Sequence, residues 1–224
     1  MSRKLVTTSD GSHTLFVPEL GEHYHSIHGA VQESTHVFIK YGLEAVPNED
    51  KPLYIFEMGL GTGLNLLLTA LQPLTRPVYY VSVEAYPVSA EEAANLNYGN
   101  LFAEHPEAKS LLQTIHTLPW GEPTALNPGL TIHKLHAKLS ELDWAVLPQF
   151  NLIYFDAFAP DVQPNLWSEE VFQSLYNQMH PGGILVTYCA KGSVKRAMKA
   201  AGFSIERLPG PPGKREMTRA SKLI

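Results

Sequence analysis

The sequence predicts an α/β domain built on a mostly parallel sheet with helices on both faces, closed by a C-terminal antiparallel pair. Three observations predict it: short continuous apolar runs of strand length, helical segments alternating with them, and a glycine cluster at the first strand-to-helix junction. The chain has 224 residues, 44% hydrophobic and 17% charged, and a chain of that length buries about 70% of its unfolded surface without staples. Cys189 is the single cysteine, which excludes an intrachain disulfide and suits a reducing compartment. No run approaches about 18 consecutive apolar residues, and residues 1–10 hold no apolar stretch of signal-peptide length. A cytoplasmic protein with no membrane association and no obligate protein partner is expected.

Residues 1–50 carry five of the ten histidines and few apolar runs, and they read as an N-terminal extension. From residue 51 the rhythm begins. Leu53–Met58 is the first buried strand, ending at glycines, and residues 65–71 form the first helix. Val78–Glu84, rich in β-branched and aromatic residues, is the second strand, followed by a helix over 89–96. Residues 130–135 alternate as a third strand, and 151–156 is a fourth, buried one. A helix over 168–179 stops at Pro181-Gly182-Gly183, read as a turn, and 184–189 is a fifth strand. A helix over 193–201 ends at Gly202, and 203–208 pairs antiparallel with 217–222. This order is that of a Rossmann-like domain over 51–224.

The cluster Glu57-Met-Gly59-Leu-Gly61-Thr62-Gly63-Leu-Asn65 lies between the first strand and first helix. Glycines there let backbone approach a ligand at the carboxyl end of the strand, where such sheets bind ligands. A tight turn without a ligand is the plain alternative. A dinucleotide fingerprint places glycine at position 64, which is leucine here, and this disfavours an NAD(P)-binding oxidoreductase. Glu84 ends the second strand, placed to accept hydrogen bonds from ribose hydroxyls. The pattern resembles the E/D-x-G-x-G-x-G motif of S-adenosylmethionine-dependent methyltransferases. That resemblance implies a class I methyltransferase fold, S-adenosyl-L-methionine as cofactor, and Glu57, Gly59, Gly61, Thr62, Gly63, Asn65, Glu84 and Asp156 around it.

Asp156-Ala-Phe158-Ala-Pro160 follows the fourth strand. In class I methyltransferases the corresponding loop faces the reactive end of the cofactor and binds a substrate amino group, as the resemblance implies. An amine nucleophile needs a free lone pair, whereas an alkylamine is protonated at pH 7, so a carboxylate is needed to orient it and take its proton. Asp156 is the candidate, with Phe158 as an apolar wall. The alternative is that Asp156 only structures the turn. Asp161 reads as a solvated loop acid.

A more specific resemblance runs from about residue 10 to 219. Asp10-Gly-Ser12, Tyr24-His25-Ser26, Gly29-Ala30, Glu33-Ser34, His36-Val-Phe38, the glycine loop, Asp156–Pro160, Pro164-Asn-Leu-Trp167, Thr187-Tyr188, Val194-Lys-Arg196, Ala201-Gly-Phe203 and Gly213–Met217 occur in order. Together they resemble the methyltransferase part of MnmC-type tRNA-modifying enzymes. The resemblance implies methylation of the 5-aminomethyl group of (2-thio)uridine at the tRNA wobble position, with the anticodon region of tRNA as partner. It also implies that Tyr24, His25, Ser26, Glu33, Ser34 and Pro160 line or cover the cleft. Bifunctional relatives carry a flavin-dependent oxidase domain for which these 224 residues have no room, so a stand-alone methyltransferase is expected. Lys138, in a region that often supplies an acid to adenine, cannot accept a hydrogen bond.

The net charge of −5 hides an asymmetry: residues 1–190 carry 8 Lys+Arg and 20 Asp+Glu, residues 191–224 carry 9 and 2. A concentrated basic region can hold phosphates whatever the overall sign, although a solvated helix face and a lysine-protected edge strand would look the same. Lys191, Lys195 and Arg196, at helical spacing with Lys199, and Lys214 and Arg215 are the expected phosphate ligands. The N-terminal histidines match no zinc spacing and lack cysteines, so no metal is expected. A small-amine methyltransferase of the same fold is the nearest alternative function, and a tRNA-binding module with a dead cofactor site a more distant one.

Overall fold

A computed structural model describes residues 2–224. The first part of the chain forms its own small antiparallel sheet of β1 (Lys4–Thr7), β2 (His13–Val17) and β3 (Glu22–His23). A short helix α1 (Ala30–Ser34) and a π-helical stretch over Thr35–Lys40 follow. Val37, Phe38 and Ile39 of this stretch are buried in the core of the main sheet.

The main sheet holds β4 (Leu53–Met58), β5 (Val78–Glu84), β6 (Pro123–Asn127), β7 (Leu130–His136), β8 (Phe150–Phe155), β9 (Met179–Thr187), β10 (Ser204–Pro209) and β11 (Glu216–Ser221). Its order is β10-β11-β9-β8-β4-β5-β7-β6. The β7-β5-β4-β8-β9 centre is parallel, whereas β11 enters antiparallel between β9 and β10, and β6 pairs antiparallel with β7. The helices are α2 (Leu64–Ala70), α3 (Ala90–Ala94), α4 (Ala108–Thr117), α5 (Glu169–Asn177) and α6 (Gly192–Ala200).

Strand parity divides the core between the two faces of the sheet. Leu53, Ile55, Tyr80, Leu152 and Tyr154 pack toward α2 and α4, while Phe56, Val81, Ile153 and Phe155 pack toward α5 and α6. Helix α2 is apolar nearly all round because it is buried, with Leu64, Leu66, Leu67 and Leu68 all in the core. Helix α3 begins with a reciprocal cap in which Glu92 N–H donates to Ser89 Oγ and Ser89 N–H to Glu92 Oε2. The chain runs outward from β4 through β5 to β7, then returns to β8 on the other side. The strand order therefore reverses between β4 and β8, where a crevice opens at the carboxyl ends.

One sequence expectation fails. Pro181-Gly182-Gly183 is not a turn between helix and strand but lies inside β9. The β8–β9 register steps from Phe150↔Met179 to Leu152↔Ile184, so β9 bulges by several residues. The C-terminal segment captures the bulge: Gly182 N–H donates to Lys222 O at 2.8 Å and Lys222 N–H to Gly183 O at 3.0 Å. Among the described residues no helix is long and apolar enough to cross a membrane.

Candidate active site

β4 ends at Met58 and the chain turns through Gly59 at φ 90° and Gly61 at φ 50°, backbone states that side chains oppose. Space adds a second reason for glycine. A Cβ at Gly59 would stand 3.2 Å from Asp156 O, and one at Gly61 3.0 Å from the Tyr24 ring. The loop is held from both neighbouring strands, with Gly59 N–H donating to Val83 O at 3.0 Å and Asp156 N–H to Met58 O at 3.2 Å. Glu84 accepts from Gly61 N–H at 2.9 Å and from Tyr86 N–H at 2.7 Å. A carboxylate has further lone pairs, so both contacts leave Glu84 able to accept hydroxyls from a ligand. The loop forms one wall of a cavity of about 1020 Å³. One lobe is apolar, lined by Leu139, Leu142, Trp144, Leu166 and Val171, and the other is polar and bounded by the N-terminal segment.

Asp156 stands just past β8, facing this cavity. Burial pushes its carboxyl up to about 7; the hydrogen bond from Asn65 opposes this, Glu33 adds to it, and Lys214 opposes it. The Asn65 bond, from Nδ2 to Oδ2, is 2.9 Å long. Behind it lies Glu57, wholly buried, which accepts from Ser82 Oγ at 2.7 Å through Oε2. Its Oε1 meets no donor, and neither Asn65 Oδ1 nor the Tyr80 hydroxyl has a partner, although both groups lie against this carboxyl. Burial pushes Glu57 up to about 8, opposed by the Ser82 bond, with the Asp156 charge adding to the rise. Tyr80 and Asn65 also oppose the rise, but burial outweighs them, so at pH 7 Glu57 is mostly a neutral acid.

The N-terminal segment closes the polar lobe. Tyr24 accepts from Arg3 Nε at 2.8 Å, and its ring meets Phe158 edge-on with centroids 5.1 Å apart. Burial pushes the Tyr24 phenol up to about 12. His25 Nε2 and Thr62 Oγ1 share a 2.7 Å hydrogen bond, and burial pushes the ring down to about 4, so it is neutral. Ser26 N–H donates to Glu33 Oε1 at 2.9 Å, and Lys214 Nζ donates to Glu33 Oε2 at 2.5 Å. The same ammonium lies 3.9 Å from the centroid of Tyr188, whose hydroxyl donates to Ala157 O at 2.9 Å. Lys214 thus reaches the cavity from the β10–β11 hairpin, which is tied to the N-terminal segment where His36 Nε2 donates to Pro209 O at 2.7 Å.

A family model described as S-adenosyl-L-methionine-dependent methyltransferase matches residues 100–223, more than half the chain. The chain belongs to this methyltransferase family. S-adenosyl-L-methionine is its cofactor, and the loop fits it: a glycine wall that a Cβ would obstruct, an acid at the end of β5, and an apolar lobe beyond. Among relatives, the tRNA 5-methylaminomethyl-2-thiouridine biosynthesis bifunctional protein MnmC of Cupriavidus necator is 33% identical over 217 residues, covering 92% of this chain and 32% of that protein. The MnmC protein of Burkholderia pseudomallei is 32% identical, covering 95% of this chain and 34% of its own length. The chain spans about a third of the length of these relatives. In fold it is similar to the crystal structure of MNMC2 from Aquifex aeolicus, with TM-score 0.77 and 24% identity over 98% of this chain and 70% of that one.

Within this methyltransferase, the cavity wall includes Tyr24, His25, Ser26, Glu33, Gly59, Gly61, Thr62, Asn65, Glu84, Asp156, Phe158 and Lys214. Other residues expected at the site do not reach it. Glu57 sits one layer behind, Gly63 caps α2, and Ser34 is fully buried with an unpartnered hydroxyl. Pro160 lies in the loop beyond Phe158, off the cavity wall. Lys191 pairs with Asp161, which is the solvated loop acid expected, and Lys195 pairs with Glu216 at 3.2 Å. Arg196 and Arg215 are exposed away from the cavity. Lys214 is not the free phosphate ligand expected, because Glu33 already holds it. Sequence reading assigned no role to Tyr188, Trp144 or Arg3; only the pairing of Thr187 with Tyr188 at the end of a strand offered a signal. Among the described residues no three His, Cys, Asp or Glu side chains converge as metal ligands.

Proposed function

We propose that the protein transfers a methyl group from S-adenosyl-L-methionine to the amino nitrogen of a 5-aminomethyl-(2-thio)uridine at the tRNA wobble position, giving 5-methylaminomethyl-(2-thio)uridine. The observation that carries this reading is a second carboxylate, Glu33, beside Asp156 in a cavity wall that also holds the aromatic faces of Tyr24, Phe158 and Tyr188. Carboxylates and ring faces are what an alkylammonium group binds. The names of the relatives, which concern biosynthesis of that same nucleoside, support the choice of substrate.

The cofactor supplies an electrophilic methyl group on a sulfonium sulfur. Glu84 is placed for ribose hydroxyls, the Gly59–Gly63 backbone for close approach, and Leu139, Leu142 and Trp144 for an apolar ring. Asp156 does the proton work. An alkylamine resembles lysine, with a pKa of about 10 in water, so it arrives protonated and must give up a proton to become a nucleophile. An acid of about 7 is ionised in about half of the molecules at neutral pH and can accept that proton. Asn65 fixes its Oδ2, leaving Oδ1 for the amine. Tyr24 and Phe158 exclude water from the reacting groups, and residues 1–50 act as the cover over the cleft. With tRNA as its substrate, the protein is proposed to work in the cytoplasm.

The test is incubation with methyl-labelled S-adenosylmethionine and tRNA from cells lacking this final methylation, followed by nucleoside mass spectrometry. Label in 5-methylaminomethyl-(2-thio)uridine is expected. Absence of label, with S-adenosylhomocysteine binding demonstrated, would sink the reading in favour of a small-amine substrate.

A further inference from the structure

Four of the nine cations in the basic C-terminal region are already paired with acids. Lys191 is held by Asp161, Lys195 by Glu216, Lys214 by Glu33 and Arg219 by Glu206. Arg196, Lys199, Arg207 and Arg215 have no acidic partner within ion-pair distance among the described residues. Three of these four gather in one place, a groove of about 220 Å³ between α6 and β10 lined by Gly192, Lys195, Arg196, Lys199, Ile205 and Arg207.

The groove follows from the periodicity of its two walls. Gly192, Arg196 and Lys199 stand at i, i+4 and i+7 of α6 and share a helical face about 10 Å long. Ile205 and Arg207, two apart in β10, point to one face of the sheet. Glycine at 192 opens the end of the groove, since a Cβ there would stand 3.3 Å from Arg196 Nη1. Glu216 lies beside it, holding Lys195 of the groove wall. The hydrogen bond from Lys195 holds this carboxyl below its usual range, and Arg207 and Arg215 add to that effect. Several cations thus share a single carboxylate, leaving a positive surplus for an external anion.

The groove is separate from the methyl-transfer cavity, but the chain links their walls at two points. Lys214 lines the cavity, and Arg215, the next residue, is exposed and acts on the charge of Glu216. At the other end, Gly192 follows Lys191, which holds the Asp161 loop beyond Asp156. We propose that the α6–β10 groove is a phosphodiester track, with Arg196, Lys199 and Arg207 as the phosphate ligands and Lys195, fixed by Glu216, shaping its floor. It holds the RNA backbone beside the cavity while the target base enters it. Cations spread along a helical face suit successive phosphates better than one small anion, and the track rests on tRNA being the substrate.

The experiment compares full-length protein with the Arg196→Glu/Arg207→Glu variant, measuring tRNA affinity by fluorescence anisotropy over a salt series alongside methyl transfer. The track predicts at least a tenfold loss of affinity at about 0.15 M salt, and a log–log salt slope shallower by roughly 1.5 for two lost phosphate contacts. S-adenosylhomocysteine affinity and the unfolding midpoint stay unchanged. A Lys51→Glu/Lys109→Glu variant, altering the same net charge at exposed sites elsewhere, should bind nearly as the parent does. Parental affinity and slope in the groove variant, or an equal loss in the control variant, would overturn the track while leaving tRNA methylation standing. Failure of the unsubstituted protein to methylate or bind tRNA would instead remove the substrate reading.

Discussion

Replacing Glu57 by glutamine should make the protein more stable at neutral pH, although it alters a motif residue buried at the heart of the fold. Burial holds the Glu57 carboxyl at about 8, against an ordinary 4.5. Below 4.5 the folded and unfolded chains both carry the proton, and parent and variant should match. Between 4.5 and 8 the unfolded chain releases a proton that the folded chain keeps, so the parent loses stability as pH rises. Each pH unit in that window costs about 1.36 kcal/mol, giving about 3 kcal/mol at pH 7. Glutamine carries no such penalty. Its carbonyl can accept from Ser82, and its neutral amide suits the uncharged hydroxyl and amide surroundings. For a domain of this size the gain is an upward shift in Tm of about 6–12 °C at pH 7. Denaturant and thermal unfolding of both proteins from pH 4 to 8 would measure it. A variant that is no more stable at pH 7 than at pH 4, relative to the parent, would show that Glu57 is ionised in the fold and that the neutral network is wrong.

Further expectations concern the cavity. Asp156→Asn should lower kcat by about 10²–10⁴ while S-adenosylhomocysteine binding by calorimetry survives; near-parental turnover would leave Asp156 a structural role only. Because Asp156 must be ionised to accept a proton and burial holds it at about 7, kcat/KM in the parent should rise with pH through that value. Lys214→Met removes the cation that opposes this rise, so the activity profile should move to higher pH, and a profile left in place would refute the coupling. The same change leaves Glu33 Oε2, on a side chain 7% exposed, without its partner, for a loss of about 1–3 kcal/mol in denaturant unfolding.

The parallel centre of the sheet was legible because its strands are buried on both faces and so appear as unbroken apolar runs. The segments that escaped notice, β1–β3, β6 and α4, are short or half-exposed, and their burial is decided by neighbours far away in sequence. Pro181-Gly182-Gly183 misled for the same reason: local turn chemistry was overridden by the C-terminal strand, which supplies the bulge with partners. In the site, Gly59, Gly61, Glu84 and Asp156 could be read from local spacing because each ends or follows a strand. The Glu33–Lys214 pair could not, since 181 residues separate its members. Counting the basic residues of the tail likewise gave their number but not which were already held by carboxylates of the same chain.

Glu57 shows how far strand parity reaches beyond motif reading. The motif suggests a cofactor contact because the residue stands beside the glycine loop. Parity suggests otherwise, since Glu57 shares a face with Leu53 and Ile55, both in the core beneath α2. The register places it between Ser82 on β5 and Tyr154 on β8, with Tyr80 opposite Ile55 one step back. A carboxyl in that layer is surrounded by hydroxyls and an amide rather than by cations, and burial outweighs the hydrogen bonds they offer a negative charge. It therefore mostly keeps its proton at neutral pH, and Asn65, beside it, donates to Asp156.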